Sequence, residues 1–225
     1  MHIYAIGDLH LSGEPASKPM EVFGEHWRNH KEKVAANWQN TVTAQDTVIV
    51  CGDISWAMTL EEAAQDLDWL AQLTGRKLLL RGNHDYWWSS LSKMQQRYGA
   101  HFEFLQNDCI MVEDIAVCGT RGWPFDDAAA QGEKLMAREA GRLRMSLQAA
   151  GDTPRKIAFL HYPPVYPGAS AKELVDVLQE FGVTECYYGH LHGKSIRYAV
   201  QGPVDGITYR LISADGLAFC PYKIG

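Results

Sequence analysis

What most limits the fold of this chain is a local order repeated five times. A short apolar, β-prone run ends, and a residue with carboxylate, amide or imidazole chemistry follows at once. His2-Ile3-Tyr4-Ala5-Ile6 leads to Asp8-Leu9-His10, and Thr47-Val48-Ile49-Val50-Cys51 leads to Gly52-Asp53. Lys77-Leu78-Leu79-Leu80 leads to Gly82-Asn83-His84-Asp85, Ile157-Ala158-Phe159-Leu160 to His161, and Glu185-Cys186-Tyr187-Tyr188 to Gly189-His190-Leu191-His192. Runs this short and this apolar read as buried strands. In α/β sheets ligands gather at the carboxyl ends of strands, so the five motifs are expected to meet at one edge.

Between these strands the pattern turns helical. Trp27, Val34 and Trp38 share a face in a predicted helix near 25–40, after a Pro- and Gly-bearing loop at 11–24. Thr59 and Glu62 have capping-box spacing ahead of Leu60, Ala63, Ala64, Leu67, Leu70 and Ala71, and Gly75 supplies the stop. Ser170 and Glu173 have the same spacing ahead of Leu174, Val177, Leu178 and Phe181. A long helix is predicted over 131–149 despite Gly141, two or three strands over 101–119, and a hairpin or two strands over 195–211. Pro163-Pro164 stops the chain from running on as a regular strand. The alternation predicts α/β layering in one domain spanning 1–225.

The residue types in the motifs suit metal ions. Asp is a hard donor able to bridge two cations, and neutral His suits Zn, Fe, Mn, Co and Ni. No Cys belongs to the set, which argues against a closed structural zinc site. Two adjacent divalent ions are a known device for hydrolysing phosphorus esters.

The ordered set Asp8-x-His10, Gly52-Asp53, Gly82-Asn83-His84-Asp85, His161 and Gly189-His190-x-His192 resembles the calcineurin-like metallophosphoesterase superfamily over nearly the whole chain. The resemblance implies a four-layer α/β/β/α sandwich with two central mixed β-sheets. It implies that Asp8, His10 and His192 bind one metal, that Asn83, His161 and His190 bind a second, and that Asp53 bridges both. It implies hydrolysis of a phosphodiester or phosphomonoester by a metal-bridging hydroxide. Asn83 and the metals would stabilise the phosphoryl charge, and His84 would act as general acid beside the substrate. Asp85 is expected to be structural, giving turn or supporting hydrogen bonds.

In one respect the chain departs from the protein-phosphatase branch. There the Gly-Asp motif continues to a charged pair that supports the acid histidine. Here it continues as Ile54-Ser55-Trp56. A small soluble ester or nucleotide is therefore favoured over a phosphoprotein. The rivals are a serine/threonine phosphoprotein phosphatase, a nuclease and a non-catalytic metal-binding scaffold. Arg121 and Trp123, in the loop Gly119–Phe125, are candidate substrate contacts. Trp56, Trp87 and Trp88 are candidates for either an aromatic wall or packing beneath the site.

A net charge of −6 and a pI near 5.8, with no long basic run, speak against tight binding of duplex nucleic acid. The five cysteines are odd in number and include no C-x-x-C pair, so they read as reduced thiols of a cytoplasmic protein. No stretch is long and apolar enough to span a bilayer, and with Asp8 already on the first strand no secretory signal is expected ahead of the fold. Gly193-Lys194-Ser195 resembles the end of a phosphate-binding loop, but Tyr188 stands where the first glycine would be needed. Oligomeric state is not set by the sequence.

Overall fold

A computed structural model describes residues 1–124 and 130–225 of the chain. In chain order the elements are β1 (Ile3–Ile6), α1 (His30–Thr41), β2 (Thr47–Cys51), α2 (Ala64–Gln72), β3 (Arg76–Leu80), α3 (Leu91–Tyr98), β4 (Glu103–Leu105), β5 (Cys109–Val112) and β6 (Ile115–Thr120). Then come α4 (Ala130–Ala149), β7 (Arg155–Leu160), β8 (Val165–Tyr166), β9 (Ala169–Ser170), α5 (Lys172–Glu180), β10 (Glu185–Tyr188), β11 (Gly202–Val204), β12 (Ile207–Leu211) and β13 (Tyr222–Ile224).

The strands form two large mixed sheets. The first has the order β13-β1-β2-β3-β4 and the second β11-β12-β10-β7-β6-β5; β8 and β9 form a separate hairpin. The five motif-bearing strands are interior and pair in parallel with one another within each sheet, β1-β2-β3 in the first and β7-β10 in the second. Their motifs therefore emerge at the same end. Antiparallel strands close the edges at β13, β5 and β11.

Strand periodicity explains the layers. Tyr4, Ile6, Val48, Val50 and Leu79 face α1, α2 and α3 through Val34, Trp38, Leu67, Leu70, Met94 and Tyr98. Ala158, Leu160, Cys186 and Tyr188 face α4 and α5 through Leu143, Leu147, Leu174 and Leu178. The intervening residues, among them Ile3, Ala5, Ile49, Cys51, Leu78, Ile157, Phe159 and Tyr187, fill the space between the sheets. This is the expected four-layer sandwich, and it explains why the strands read as unbroken apolar runs: both faces are covered. Phe159 is fully buried in the middle layer and stacks on Tyr187 with ring centroids 5.3 Å apart.

Several local expectations need correction. The predicted helix near 25–40 starts only at His30, because residues 25–27 form a separate single 3-10 turn. The Thr59 hydroxyl accepts from the Glu62 amide at 3.2 Å, but the Glu62 carboxylate accepts from Met58, and α2 begins at Ala64. Ser170 does not cap α5. It is the last residue of β9, and the position before α5 is Ala171, whose side chain can accept nothing. The 101–119 region holds three strands, while only 202–211 of the 195–211 segment is a hairpin, preceded by a 3-10 helix at Gly193–Tyr198. Helix α3 and strand β13 are additional to the expected elements. Ser90 caps α3 by accepting from Lys93, and β13 is only three residues long.

Candidate metal centre

The motif loops are held in conformations that side chains rarely adopt. Asp8 (φ 54°), His10 (φ 47°), Asp53 (φ 50°) and His190 (φ 71°) all lie in the left-handed region, though none is glycine. Each such residue costs on the order of 1 kcal/mol or more, and such strain gathers at functional sites. Backbone pairing holds the loops in place. The amides of Asp8, His10 and Leu11 donate to the carbonyls of Gly52, Asp53 and Ile54, each at 2.9 Å. The His190 amide donates to the Asp8 carboxylate at 2.9 and 3.0 Å, tying the second sheet to the first.

Two glycines of the motifs are required by close approach. A Cβ on Gly82 would lie 2.2 Å from both the amide nitrogen and Oδ1 of Asp53, and one on Gly189 would lie 2.6 Å from Asp8 Oδ2. Either methyl group would displace a carboxylate.

Two clusters result, and they share one residue. Ligand atoms of Asp8, His10 and Asp53 lie within 4.8 Å of one another, as do those of Asp53, His161 and His190. Asn83 joins the second cluster: its Oδ1 is 2.7 Å from His161 Nε2 and 3.0 Å from His190 Nδ1. His192 stands beside the first cluster, edge-on to His10 with ring centroids 5.0 Å apart and half-buried.

The donor chemistry fits cations. Both ring nitrogens of His10 are shut from solvent and have no hydrogen-bond partner, although polar atoms so placed are normally satisfied. His161 Nδ1–H donates to the Cys51 carbonyl at 3.2 Å, which leaves Nε2 bare. That bare nitrogen and Asn83 Oδ1 are both acceptors, and their separation suits adjacent ligands of one ion. Burial, followed by the charge of Asp53, pushes the Asp8 carboxyl well above the usual range; burial also raises Asp53. Burial holds the His10 imidazole well below its ordinary value and takes His161 down to about 3. Burial thus keeps the imidazole nitrogens bare and free to act as ligands, and cations held there would favour the ionised form of the two carboxyls.

The flanking residues line and brace the two clusters. The His84 amide donates to Asp53 Oδ1 at 2.8 Å, and its half-buried ring lies 4.3 Å from Trp56 and 6.4 Å from Tyr86, centroid to centroid. Burial lowers its basicity, an effect partly offset by Asp53. Asp85 is structural, as expected. Its Oδ1 accepts from Ile54 at 2.8 Å, Ser55 at 3.2 Å and Trp87 Nε1 at 2.9 Å, and its Oδ2 accepts from Gly82 at 2.7 Å. It thus locks the Asp53 loop to the Asn83 loop.

Trp87 and Trp88 are buried in the core beneath, while Trp56 stacks on His10 at 4.8 Å and carries Lys18 over its ring at 4.2 Å. Arg121 lies over Trp123 at 5.1 Å, and its carbonyl accepts from the amides of His161 and Tyr162. The structure brings neither Arg121 nor Trp123 into the two clusters; both flank the second. Phe125, the last residue of the predicted loop, lies outside the described residues. Sequence reading missed Asp215, which accepts from Gly193 at 2.6 Å and stands 3.5 Å from His26, steadying the His192 loop. No motif marks that position.

The fold recurs in solved structures. TT1561 of Thermus thermophilus superposes with a TM-score of 0.57 at 14% identity, covering 85% of this chain and 82% of that one. A protein of unknown function, AQ665 from Aquifex aeolicus, gives 0.53 at 15%, covering 99% and 95%. The phosphopantetheinyl hydrolase PptH from Mycobacterium tuberculosis gives 0.53 at 14%, covering 94% and 88%. At such identities the likeness concerns the fold alone. The gene 66 protein of Mycobacterium phage L5 is 33% identical over 78 residues, which is 35% of this chain and 37% of that protein. This chain thus matches little more than a third of that relative's length. The chain belongs to the calcineurin-like phosphoesterases, whose family pattern matches residues 1–194.

Proposed function

We propose that the protein is a dinuclear metal-dependent phosphoesterase acting on a small soluble phosphate ester or nucleotide. The observation that carries this reading is the shared carboxylate: Asp53 belongs to both clusters of candidate ligands. Asp8, His10 and His192 would hold one ion, and Asn83, His161 and His190 the other. Two divalent ions bound there would supply an acidified water nucleophile and positive charge for the phosphoryl oxygens.

The chain's own groups set the rest of the chemistry. Asp85 and the Asp53–His84 hydrogen bond fix the Asn83–His84 loop. Asn83 turns Oδ1 toward the two imidazoles, which leaves its amide N–H groups for a phosphoryl oxygen. The half-buried His84 ring would give its proton to the leaving oxygen. Arg121, with Trp123 under its guanidinium, would steady the anionic substrate from one side. Five free thiols, several fully buried, support a reducing, cytoplasmic setting. Among the described residues no helix is long and apolar enough to cross a membrane.

The test is hydrolysis of bis(p-nitrophenyl) phosphate against p-nitrophenyl phosphate by metal-stripped protein reloaded with Mn²⁺. Turnover of the diester, lost in Asp53→Ala, is the expected result. Preference for the monoester would move the substrate to phosphomonoesters. Metal-independent turnover, or none with either ester, would refute the reading.

A further inference from the structure

Four arginines of this acidic chain face one cavity of about 170 Å³. Arg81 follows β3 and Arg121 follows β6, so the cavity opens where the two sheets end; Arg138 and Arg142 reach it from α4. Its walls are continuous with the metal centre. Arg81 directly precedes Gly82 and Asn83, and the Arg121 carbonyl holds the amides of His161 and Tyr162 at 3.1 and 3.0 Å.

The charge in this cavity is poorly answered. The buried Glu139 carboxylate forms an ion pair with Arg142, but its other oxygen already accepts from Thr120 Oγ1 at 2.7 Å and Gly122 at 3.2 Å. Among the described residues Arg81, Arg121 and Arg138 have no carboxylate within ion-pair distance. The nearby Asp85 has both oxygens taken by N–H donors. Nε of Arg81 and Nε of Arg121 are each closed off from solvent without a hydrogen-bond partner. Burial lowers the basicity of Arg81, and the charges of Arg121 and Arg142 lower it further, against the smaller opposing pull of Asp85 and Glu139. The Arg81 and Arg121 guanidinium groups, crowded and partly dehydrated in this way, have no carboxylate partner among the described residues, and the exposed Arg138 adds a further positive charge at the rim. Their planar forks match the oxygens of a phosphate in bidentate fashion.

We infer that the Arg81–Arg121–Arg138–Arg142 cavity binds a phosphate dianion, either a second phosphoryl group of the substrate or free phosphate. Only the substrate source rests on the phosphoesterase reading; binding itself does not. A substrate seated in both places would carry two phosphoryl groups, one in the cavity and one at the metal centre.

Binding is tested on the metal-stripped full chain, which removes the metal centre as a competing phosphate site. Inorganic phosphate is titrated at constant ionic strength and followed by calorimetry, with circular dichroism as the folding control. Wild type should bind saturably, and Arg138→Gln and Arg142→Gln should each weaken binding by at least about tenfold, the loss expected for one charge-assisted hydrogen bond. No saturable binding, or binding by both variants as tight as by the wild type, would overturn the inference even if the loaded enzyme is fully active.

Two kinetic arms on Mn²⁺-loaded protein separate the sources. A rise in KM for adenosine 3′,5′-bisphosphate in Arg138→Gln, relative to KM for p-nitrophenyl phosphate, assigns the cavity to the substrate. Non-competitive modulation of p-nitrophenyl phosphate turnover by phosphate, abolished in Arg138→Gln, assigns it to the free ion. Binding accompanied by neither effect in an active enzyme would reduce the cavity to an adventitious anion site and overturn the functional assignment.

Discussion

Gly82→Ala and Gly141→Ala add the same methyl group in opposite surroundings. At Gly82 the new Cβ would sit 2.2 Å from the Asp53 amide nitrogen and 2.2 Å from its Oδ1. Ordinary contact begins at 3.4 Å, so the Asp53 backbone and carboxylate must retreat by about 1.2 Å, the gap between 2.2 and 3.4 Å. Metal–ligand bonds tolerate only about 0.2 Å. The shared carboxylate is then out of place for both clusters, and metal affinity should fall by at least about 100-fold, beyond the loss usual for groups that only support a ligand. Overpacking should also cost about 1–3 kcal/mol of stability in the metal-free protein. At Gly141, on the exposed face of α4, nothing lies within 4 Å of the added Cβ. There Ala should stabilise by about 1 kcal/mol through helix propensity alone. Urea denaturation of the two metal-free variants should therefore shift in opposite directions. Calorimetric metal titration should be impaired only in Gly82→Ala. A Gly82→Ala protein that binds metal and unfolds as the wild type does would refute the claim that close approach at Gly82 positions Asp53.

Other outcomes follow from the same geometry. Asp53→Ala should lower the occupancy of both ions, whereas His161→Ala should lower one; metal analysis after gel filtration separates these, and equal losses would contradict a shared ligand. His84→Ala should keep wild-type metal content while kcat falls by about 10²–10⁴, the range for general acid catalysis; loss of metal together with activity would make His84 a ligand instead. Metal binding should release protons as the pH is lowered toward the carboxylate range. Burial raises Asp8 and Asp53, so they retain protons above the ordinary carboxylate range, while His10 and His161 are already bare. Apparent affinity should accordingly fall as pH is lowered toward that range, by up to about tenfold per unit for each proton displaced. Calorimetry in buffers of different ionisation heat measures the count, and zero protons released would show that both carboxyls are already ionised.

The sandwich was legible because the strands are buried on both faces and end in chemistry. An apolar run such as Thr47–Cys51 can be little else when Gly-Asp follows it. Asp53, Asn83, His161 and His190 were readable from motif order. Their mutual spacing was not, since it depends in part on left-handed backbone at Asp53 and His190, which sequence treats as ordinary. The failures were local. Ser170 has capping spacing, but the Pro167-Gly168 turn draws it into β9. Helix α3 was hidden behind Trp87-Trp88-Ser89, which reads as loop although Leu91, Met94 and Tyr98 share a face. The arginine cavity was invisible because Arg81 and Arg121 come from different sheets and meet Arg138 and Arg142 only in three dimensions.

The candidate ligands also come from both sheets. Asp8, His10, Asp53 and Asn83 hang from β1, β2 and β3, while His161, His190 and His192 hang from β7 and β10. The distance between the two groups is therefore set by how one sheet rests on the other. Apart from a few hydrogen bonds such as that from the His190 amide to Asp8, the layer between them is apolar and non-directional, and it fixes spacing mainly through volume. Side chains deep in that layer, such as the stacked Phe159 and Tyr187, act as shims: thinning or thickening one tilts a whole row of ligands against the opposing row. The gauge of the candidate metal centre is thus kept by residues that never touch it.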